Sequence, residues 1–189
     1  TPYLYQPRIS SRQLASLHGQ KIWMPDSDNY PLERWIYQEL GLNYPLIDTG
    51  FTAANFCALI AAHLGCNPII CVGMDFCSPS NQIYAAGMQS DHGNWVECIN
   101  AKKEKRISKP DWLASASWLD QFAKKNQEIK WIYTDQEAMP LAYVEFLPLE
   151  QVSFPNPFDT ASFSYALTAQ AARSEITQES VRSVLRRLS

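Results

Sequence analysis

The hydrophobic positions near the middle of this chain predict a helix followed by a buried strand. Residues 54–64 are apolar almost all round, which is typical of a helix covered on most sides, and Gly65 follows as a stop signal. Residues 68–73 form an apolar, β-branched run without alternation, as expected of a central parallel strand buried on both faces. A short apolar run at 44–47 precedes the helix, so the order of elements predicts a right-handed βαβ unit.

The same order of helix and strand occurs again further along the chain. From Ser108 onward, apolar residues recur at helical spacing between Trp112 and Ala123, and Pro110 suits the first turn of a helix. Residues 129–133 then predict another strand. The repeated pattern indicates an α/β protein with a mostly parallel sheet flanked by helices.

The N-terminal part and the segment between the two helices are expected to be less regular. Residues 1–30 are predicted to be irregular apart from a short strand at 21–24. Pro31 then begins a helix that stops at Gly41. Residues 76–107 are long and polar, which is unusual for a loop in a compact domain unless it is functional.

The C-terminal part is predicted to be a helical appendage. Residues 148–164 are rich in Pro, Ser and Phe and suggest a connector, and an amphipathic helix follows from Thr177. Its narrow apolar face favours docking on its own domain, or on another copy, over binding to a membrane. The expected organisation is an N-terminal segment 1–47, a domain 48–150, and a linker with C-terminal helix at 151–189.

Composition limits the classes of partner. The net charge of −3 gives no electrostatic footprint for nucleic acid, and the basic run 102–106 is either a solvated loop or a phosphate-steering patch. No apolar run approaches the ~20 residues of a membrane-spanning helix. The five cysteines, an odd number partly inside apolar runs, predict free thiols in a reduced, cytoplasmic compartment. Their spacing predicts no metal site.

Candidate binding groups precede the central helix. Gly50 allows the backbone to turn sharply or to approach a ligand closely, and Thr49, Thr52 and Asn55 supply hydroxyl and amide groups where the helix starts. A helix N-terminus can bind an anion through its backbone N–H groups. The same side chains could instead simply cap the helix, so both interpretations stay open.

Two ionisable side chains follow the predicted buried strand. A carboxylate such as Asp75 at this position can accept hydrogen bonds from sugar hydroxyls, hold a metal ion or cap a loop. His92, in the polar segment, is a candidate general base, and the alternative is a solvated loop histidine. No GxGxxG, Walker A or GxSxG motif occurs, which argues against dinucleotide oxidoreductases, P-loop enzymes and α/β hydrolases.

Residues 52–55 and 61–76, followed by Tyr84, resemble the MptE-like family. That family includes archaeal 6-hydroxymethylpterin diphosphokinases and motility-associated (Maf) flagellin glycosyltransferases. The same pattern looks like part of the bacterial sialyltransferases that use CMP-activated sugars. The resemblance is clear over 48–85 and weaker to residue 150. It implies a Rossmann-like domain that binds a nucleotide or diphosphate-containing donor, as part of a glycosyltransferase or diphosphotransferase. The cofactor is left open, with Mg²⁺ accompanying a nucleotide donor as one option.

The resemblance also assigns roles by position. Residues 52–54 match the Thr-Ser-Gly loop near the nucleotide phosphates in the sialyltransferases, although Ala53 replaces the hydroxyl residue. Asp75 matches their ribose- or base-side carboxylate, and Tyr84 matches their phosphate-side tyrosine. The implied donor site is lined by Thr49, Gly50, Thr52, Asn55, Asp75 and Tyr84.

Two motifs of these relatives are missing from the chain. Residues 107–110 contain no histidine where the sialyltransferases carry a catalytic one, and no Gly-x-Gly-Pro-Ser loop occurs. Residues 1–47 are therefore expected to be the end of a truncated first half, unless the protein lacks that half. The alternative function is a non-catalytic ligand-binding or assembly module, with homo-oligomerisation through the C-terminal helix as an option.

Overall fold

The chain divides into two units, one of which joins residues from both of its ends. The terminal unit consists of Thr1–Asp48 and Pro155–Ser189, and the central unit consists of Thr49–Phe154. The structure, a computed structural model, describes residues 2–6, 9–25, 31–42, 47–79, 93–153, 159–171 and 177–188.

Short strands and longer helices make up both units. In chain order, the described residues form β1 (Tyr3–Tyr5), α1 (Ser11–Ser16), β2 (Lys21–Trp23), α2 (Pro31–Glu39), α3 (Ala53–His63), β3 (Ile69–Cys71), β4 (Val96–Ile99), β5 (Lys105–Ser108), α4 (Pro110–Lys125), β6 (Trp131–Tyr133), β7 (Glu145–Phe146), α5 (Thr160–Ala171) and α6 (Gln178–Leu185). Single 3₁₀ turns follow at Leu149–Gln151 and Arg186–Leu188.

The terminal unit combines a parallel strand pair with helices from both ends of the chain. Strands β1 and β2 pair in parallel. Helix α6 packs against α2, and Val184 on α6 is 2% exposed. An ion pair between Arg187 and Glu39 joins the same two regions. The apolar face of the C-terminal helix is therefore used within its own unit.

The central unit is built on a three-stranded parallel sheet in the order β3–β6–β7. Ile69 lies opposite Trp131, and Ile132 lies opposite Glu145. Helices α3 and α4 pack against each other, and α3 contacts β3. Leu119 of α4 is completely buried, and together with Trp131 and Ala58 it belongs to the apolar core of the described residues.

A hairpin outside the parallel sheet is held by charged groups. Strands β4 and β5 pair in antiparallel fashion, and Ser78 forms a bridge with Ile107 of β5. The Glu137 carboxylate pairs with Arg106 of β5 and with Lys102 in the hairpin turn. These contacts fix the hairpin to the loop after β6.

The expected α/β fold with a Rossmann-like, mostly parallel sheet is confirmed. Three of the four strand pairings among the described residues are parallel. The predicted strand at 21–24, the helix from Pro31, the helix at 54–64, the strand within 68–73 and the helix from Thr177 all occur, each within a few residues of its expected bounds. The first strand of the predicted βαβ unit, at 44–47, lies largely outside the described residues.

Several elements were not expected from the sequence. The hairpin β4–β5 lies, apart from its last residue, within the segment predicted to be irregular, 76–107, and α5 begins inside the predicted connector 148–164. Strand β1 and helix α1 also lie within the supposedly irregular N-terminal residues. Strands of two to four residues are too short to show a period, so sequence patterns detect them poorly. The predicted domain boundaries stay a prediction, although the terminal unit joins the first and third predicted segments.

All five cysteines are free. Burial raises the pKa of the Cys71 thiol in β3 to about 11, so this side chain stays protonated and packs as a small apolar residue. Within the described parts of the chain, no helix is both long enough and apolar enough to cross a membrane.

Candidate functional site

The loop before α3 turns tightly at Gly50. This residue has φ +70°, in the left-handed region that glycine adopts without strain. A Cβ at this position would lie 2.5 Å from the Asn55 Cβ and 3.0 Å from Cδ2 of Trp118. The loop therefore requires glycine both for its backbone angle and for its close approach to α3 and α4.

Asn55 ties this loop to two helices. Its side chain is 0% exposed, and its carboxamide oxygen accepts hydrogen bonds from the Phe51 backbone N–H (3.3 Å) and the Thr52 hydroxyl (3.0 Å). Its Nδ2 donates to the backbone carbonyl of Ser115 in α4, at 3.1 Å. The Asn55 backbone N–H donates in turn to Thr52 Oγ1, which caps the helix. The Asn55 side chain thus orients the hydroxyl group of Thr52.

The segment after β3 is held in an unusual backbone conformation. Gly73 and Phe76 both have positive φ, +68° and +56°, and Phe76 is a bulky residue for which this region is strained. The Met139 backbone N–H donates to the carbonyl of Asp75 (2.8 Å), and the Ser108 hydroxyl donates to the carbonyl of Phe76 (2.6 Å). Contacts from two other segments therefore maintain a backbone that the residues alone would not prefer.

The carboxyl group of Asp75 is incompletely satisfied. Its Oδ1 atom is buried and has no hydrogen-bond partner among the residues that the structure describes. Burial, and secondarily the nearby carboxylate of Asp135, raise the pKa of Asp75 above its usual value. A carboxylate oxygen withdrawn from water without a donor is a functional-site signal, because native buried acceptors are almost always bonded.

A pocket of about 410 Å³ opens over this carboxylate. Its walls are the first turn of α3, the segment after β3 and the first turn of α4. The lining residues are Thr52, Ala54, Gly73, Met74, Asp75, Phe76, Cys77, Ser78, Pro79 and Trp112. The volume lies within the roughly 300–1,000 Å³ of small-molecule sites.

The structure brings two of the predicted site residues together, since Thr52 and Asp75 both line the pocket. Thr49 and Asn55 are almost completely buried, and neither they nor Gly50 are among the residues that line the pocket. Ligand contact by any of these residues stays a prediction.

The remaining two predicted site residues, Tyr84 and His92, lie outside the described residues. The sequence pattern does not mark Cys77, Ser78 or Trp112 as site residues. Trp112 belongs to the predicted apolar stripe of α4, and its place in the first helical turn is the one signal that distinguishes it from the core residues of that stripe.

The groups available for chemistry are few. Cys77 has a pKa raised to about 12, first by burial, and its thiol donates to the carbonyl of Glu137 at 3.2 Å. A thiol with this pKa is protonated at neutral pH and is a poor nucleophile. In the described residues, no group of three or more His, Cys, Asp or Glu side chains is arranged to hold a metal ion.

Comparison with known proteins identifies one family. Residues 1–81 match the family model described as 6-hydroxymethylpterin diphosphokinase MptE-like. The match includes Thr52 and Asp75 and extends further toward the N-terminus than the resemblance over 48–85. No curated protein and no solved structure gave a match. The resemblance predicted from the sequence is therefore confirmed as a similarity of residues 1–81 to the MptE-like family.

Proposed function

We propose that the central unit binds a nucleotide or diphosphate-containing donor in the pocket over Asp75, as part of a glycosyltransferase or diphosphotransferase. The observation that carries this proposal is the buried, unpartnered Oδ1 of Asp75. A ligand hydroxyl or amino group would supply the missing hydrogen bond. The MptE-like match supports the transferase-related class, because it covers both Thr52 and Asp75.

The electrostatics of the pocket suggest how such a ligand is oriented. An ionised Asp75 repels a phosphate, so the hydroxyl-bearing part of the donor belongs at this carboxylate unless Mg²⁺ bridges the two. The first turn of α3, with Thr52 as its cap, offers backbone N–H groups and the positive end of the helix dipole. The phosphates are therefore placed away from Asp75, toward the helix N-termini that line the pocket, and the sugar or base toward Asp75.

A non-catalytic ligand-binding or assembly module is the second candidate. It is favoured by the described lining of the pocket, which contains no histidine that could activate a nucleophile and whose thiol, that of Cys77, is protonated at neutral pH. Asp75, with its raised pKa, is the lining group best suited to proton transfer. The described residues thus support binding more directly than turnover.

Calorimetric titration and thermal unfolding with CMP, GMP and ATP, each with and without Mg²⁺, test the proposal. A ligand at 100 times its dissociation constant should stabilise the protein by about 2.7 kcal/mol. Asp75→Ala should weaken binding by about tenfold to a hundredfold, the range expected when a hydrogen bond to a charged acceptor is lost. Glu128→Ala, at an exposed carboxylate outside the pocket, is the matched control. Unchanged affinity in Asp75→Ala, or no binding of any nucleotide, would refute the proposed site.

Homo-oligomerisation and a cytoplasmic location belong to the same proposal as secondary expectations. Because Val184 is already buried within the terminal unit, an oligomer would use other side chains of α6, such as Leu185, which is 45% exposed. Light scattering of the purified chain measures this directly.

A further inference from the structure

A lysine is held between two tryptophans just before α4. The ammonium group of Lys109 lies 5.2 Å from the ring centroid of Trp95 and 5.9 Å from that of Trp112. The two indole rings meet edge to face, with centroids 6.1 Å apart and planes at 85°. Cation–π attraction from two rings restricts the conformations of the Lys109 side chain.

This arrangement adjoins the pocket. Trp112 lines the pocket, so the Lys109 ammonium contacts the ring that forms one of its walls. As far as the described residues define it, the apolar core of the central unit contains neither Trp95 nor Trp112. Packing of the core therefore does not account for the pair of rings.

The charge of Lys109 complements the pocket. Among the lining residues that the structure describes, Asp75 is ionisable as an acid and no lysine, arginine or histidine is present. An anionic ligand would meet an acidic wall without a balancing cation if the lining acted alone. The Lys109 ammonium supplies a cation beside Trp112, the ring that forms one wall of the pocket.

We propose that Lys109 and Trp112 form a recognition element for a ligand that carries both a planar ring and a negative charge. The Trp112 indole packs against the ring of the ligand, and Lys109, positioned by Trp95 and Trp112, contacts its phosphate. This inference rests on the proposed function. It narrows the class of ligand from any diphosphate-containing donor to a nucleotide-like molecule, whose anionic group lies near the first turn of α4.

The test compares a charged and an uncharged ligand that share one ring. Calorimetric titrations of the full chain with CMP and with cytidine are performed on the wild type, Lys109→Met, Lys109→Arg and Lys124→Met. Methionine keeps the length of the lysine side chain and its packing on the indoles while removing the charge. Lys124 is the matched control, because its ammonium also lies over a ring, that of Tyr143 at 5.3 Å, at the opposite end of α4.

Lys109→Met should weaken CMP binding by about tenfold and leave cytidine binding unchanged, as expected when one charge-assisted contact is removed. Lys109→Arg should restore most of the CMP affinity, and Lys124→Met should behave as the wild type. Trp112→Leu should weaken both ligands, because each uses the ring. If the wild type binds CMP and Lys109→Met binds it equally well, this inference is overturned while the proposed function stands. If the wild type binds neither ligand, and no other nucleotide, the proposed function fails and this inference with it.

Discussion

Adding one methyl group at Gly50 should test the geometry of the loop that supports the pocket. In Gly50→Ala the new Cβ would lie 2.5 Å from the Asn55 Cβ and 2.9 Å from its Cγ. The Asn55 side chain cannot move away easily, because it is fixed by its hydrogen bonds to the loop and to α4. Trp118, 3.0 Å away, is stacked on Phe122 with ring planes at 9°.

The expected cost has two parts. A left-handed backbone costs a non-glycine residue about 1–2 kcal/mol. Overpacking against a fixed neighbour adds about 1–3 kcal/mol. Gly50→Ala should therefore lower the free energy of unfolding of the central unit by about 2–5 kcal/mol.

Gly65→Ala is the matched control for the backbone part. Gly65 has nearly the same angle, φ +76°, but a Cβ there would meet nothing within 4 Å. This variant should cost about 1–2 kcal/mol, from the backbone alone. The difference between the two variants isolates the steric contribution of the Asn55 and Trp118 contacts.

Chemical denaturation gives the free energies of both variants. Hydrogen exchange at the amides of β3 and β6 assigns the relevant transition to the central unit, because these strands form its sheet. Equal destabilisation by Gly50→Ala and Gly65→Ala would refute the close approach at Gly50. It would also remove the reason for assigning Asn55 a supporting role.

Two further predictions concern the same unit. Asp75→Asn should stabilise the protein at neutral pH, because the pKa of Asp75 in the folded state is raised above 3.8. The contribution of the protonated Asp75 to the stability of the wild type is fully present below that pH. It is lost as the pH rises through the folded-state pKa. Denaturation curves of wild type and variant should converge in acid, and a difference that instead widened toward low pH would contradict the assigned burial. Leu119→Ala should cost about 2–5 kcal/mol, because the side chain is completely buried between α4 and the sheet, whereas Leu149→Ala, at a side chain 49% exposed, should change the free energy of unfolding by less than about 0.5 kcal/mol. Urea denaturation of both variants measures the contrast, and similar effects would place Leu119 outside the core.

Much of the site could be predicted from local sequence, since one continuous stretch supplies most of it. Thr52 caps α3, β3 follows that helix, and Asp75 lies in the segment after β3. The order loop, helix, strand and carboxylate therefore already predicts that both polar side chains face one crevice. The sequence did not distinguish the residues that line this crevice from the buried residues that support it. Thr49 and Asn55 carry the right chemical groups, but their burial depends on α4, whose Ser115 carbonyl accepts the Asn55 amide.

The amino-acid sequence by itself determined the elements with a strong period or a clear end signal. Helices α2 and α3 are each followed by a left-handed glycine, and the apolar run of β3 could only be a buried element. These properties depend on neighbouring residues in the chain, so they can be recognised without the fold.

Tertiary structure alone decided which distant residues share the pocket. It brought Trp112 of α4 into the same pocket as Thr52, left Oδ1 of Asp75 buried without a donor among the described residues, and set Lys109 against two indole rings. It also formed the hairpin β4–β5, whose four-residue strands are recognisable by their partners and not by their own pattern. Such features arise from contacts between segments far apart in the chain, and a local period carries no information about them.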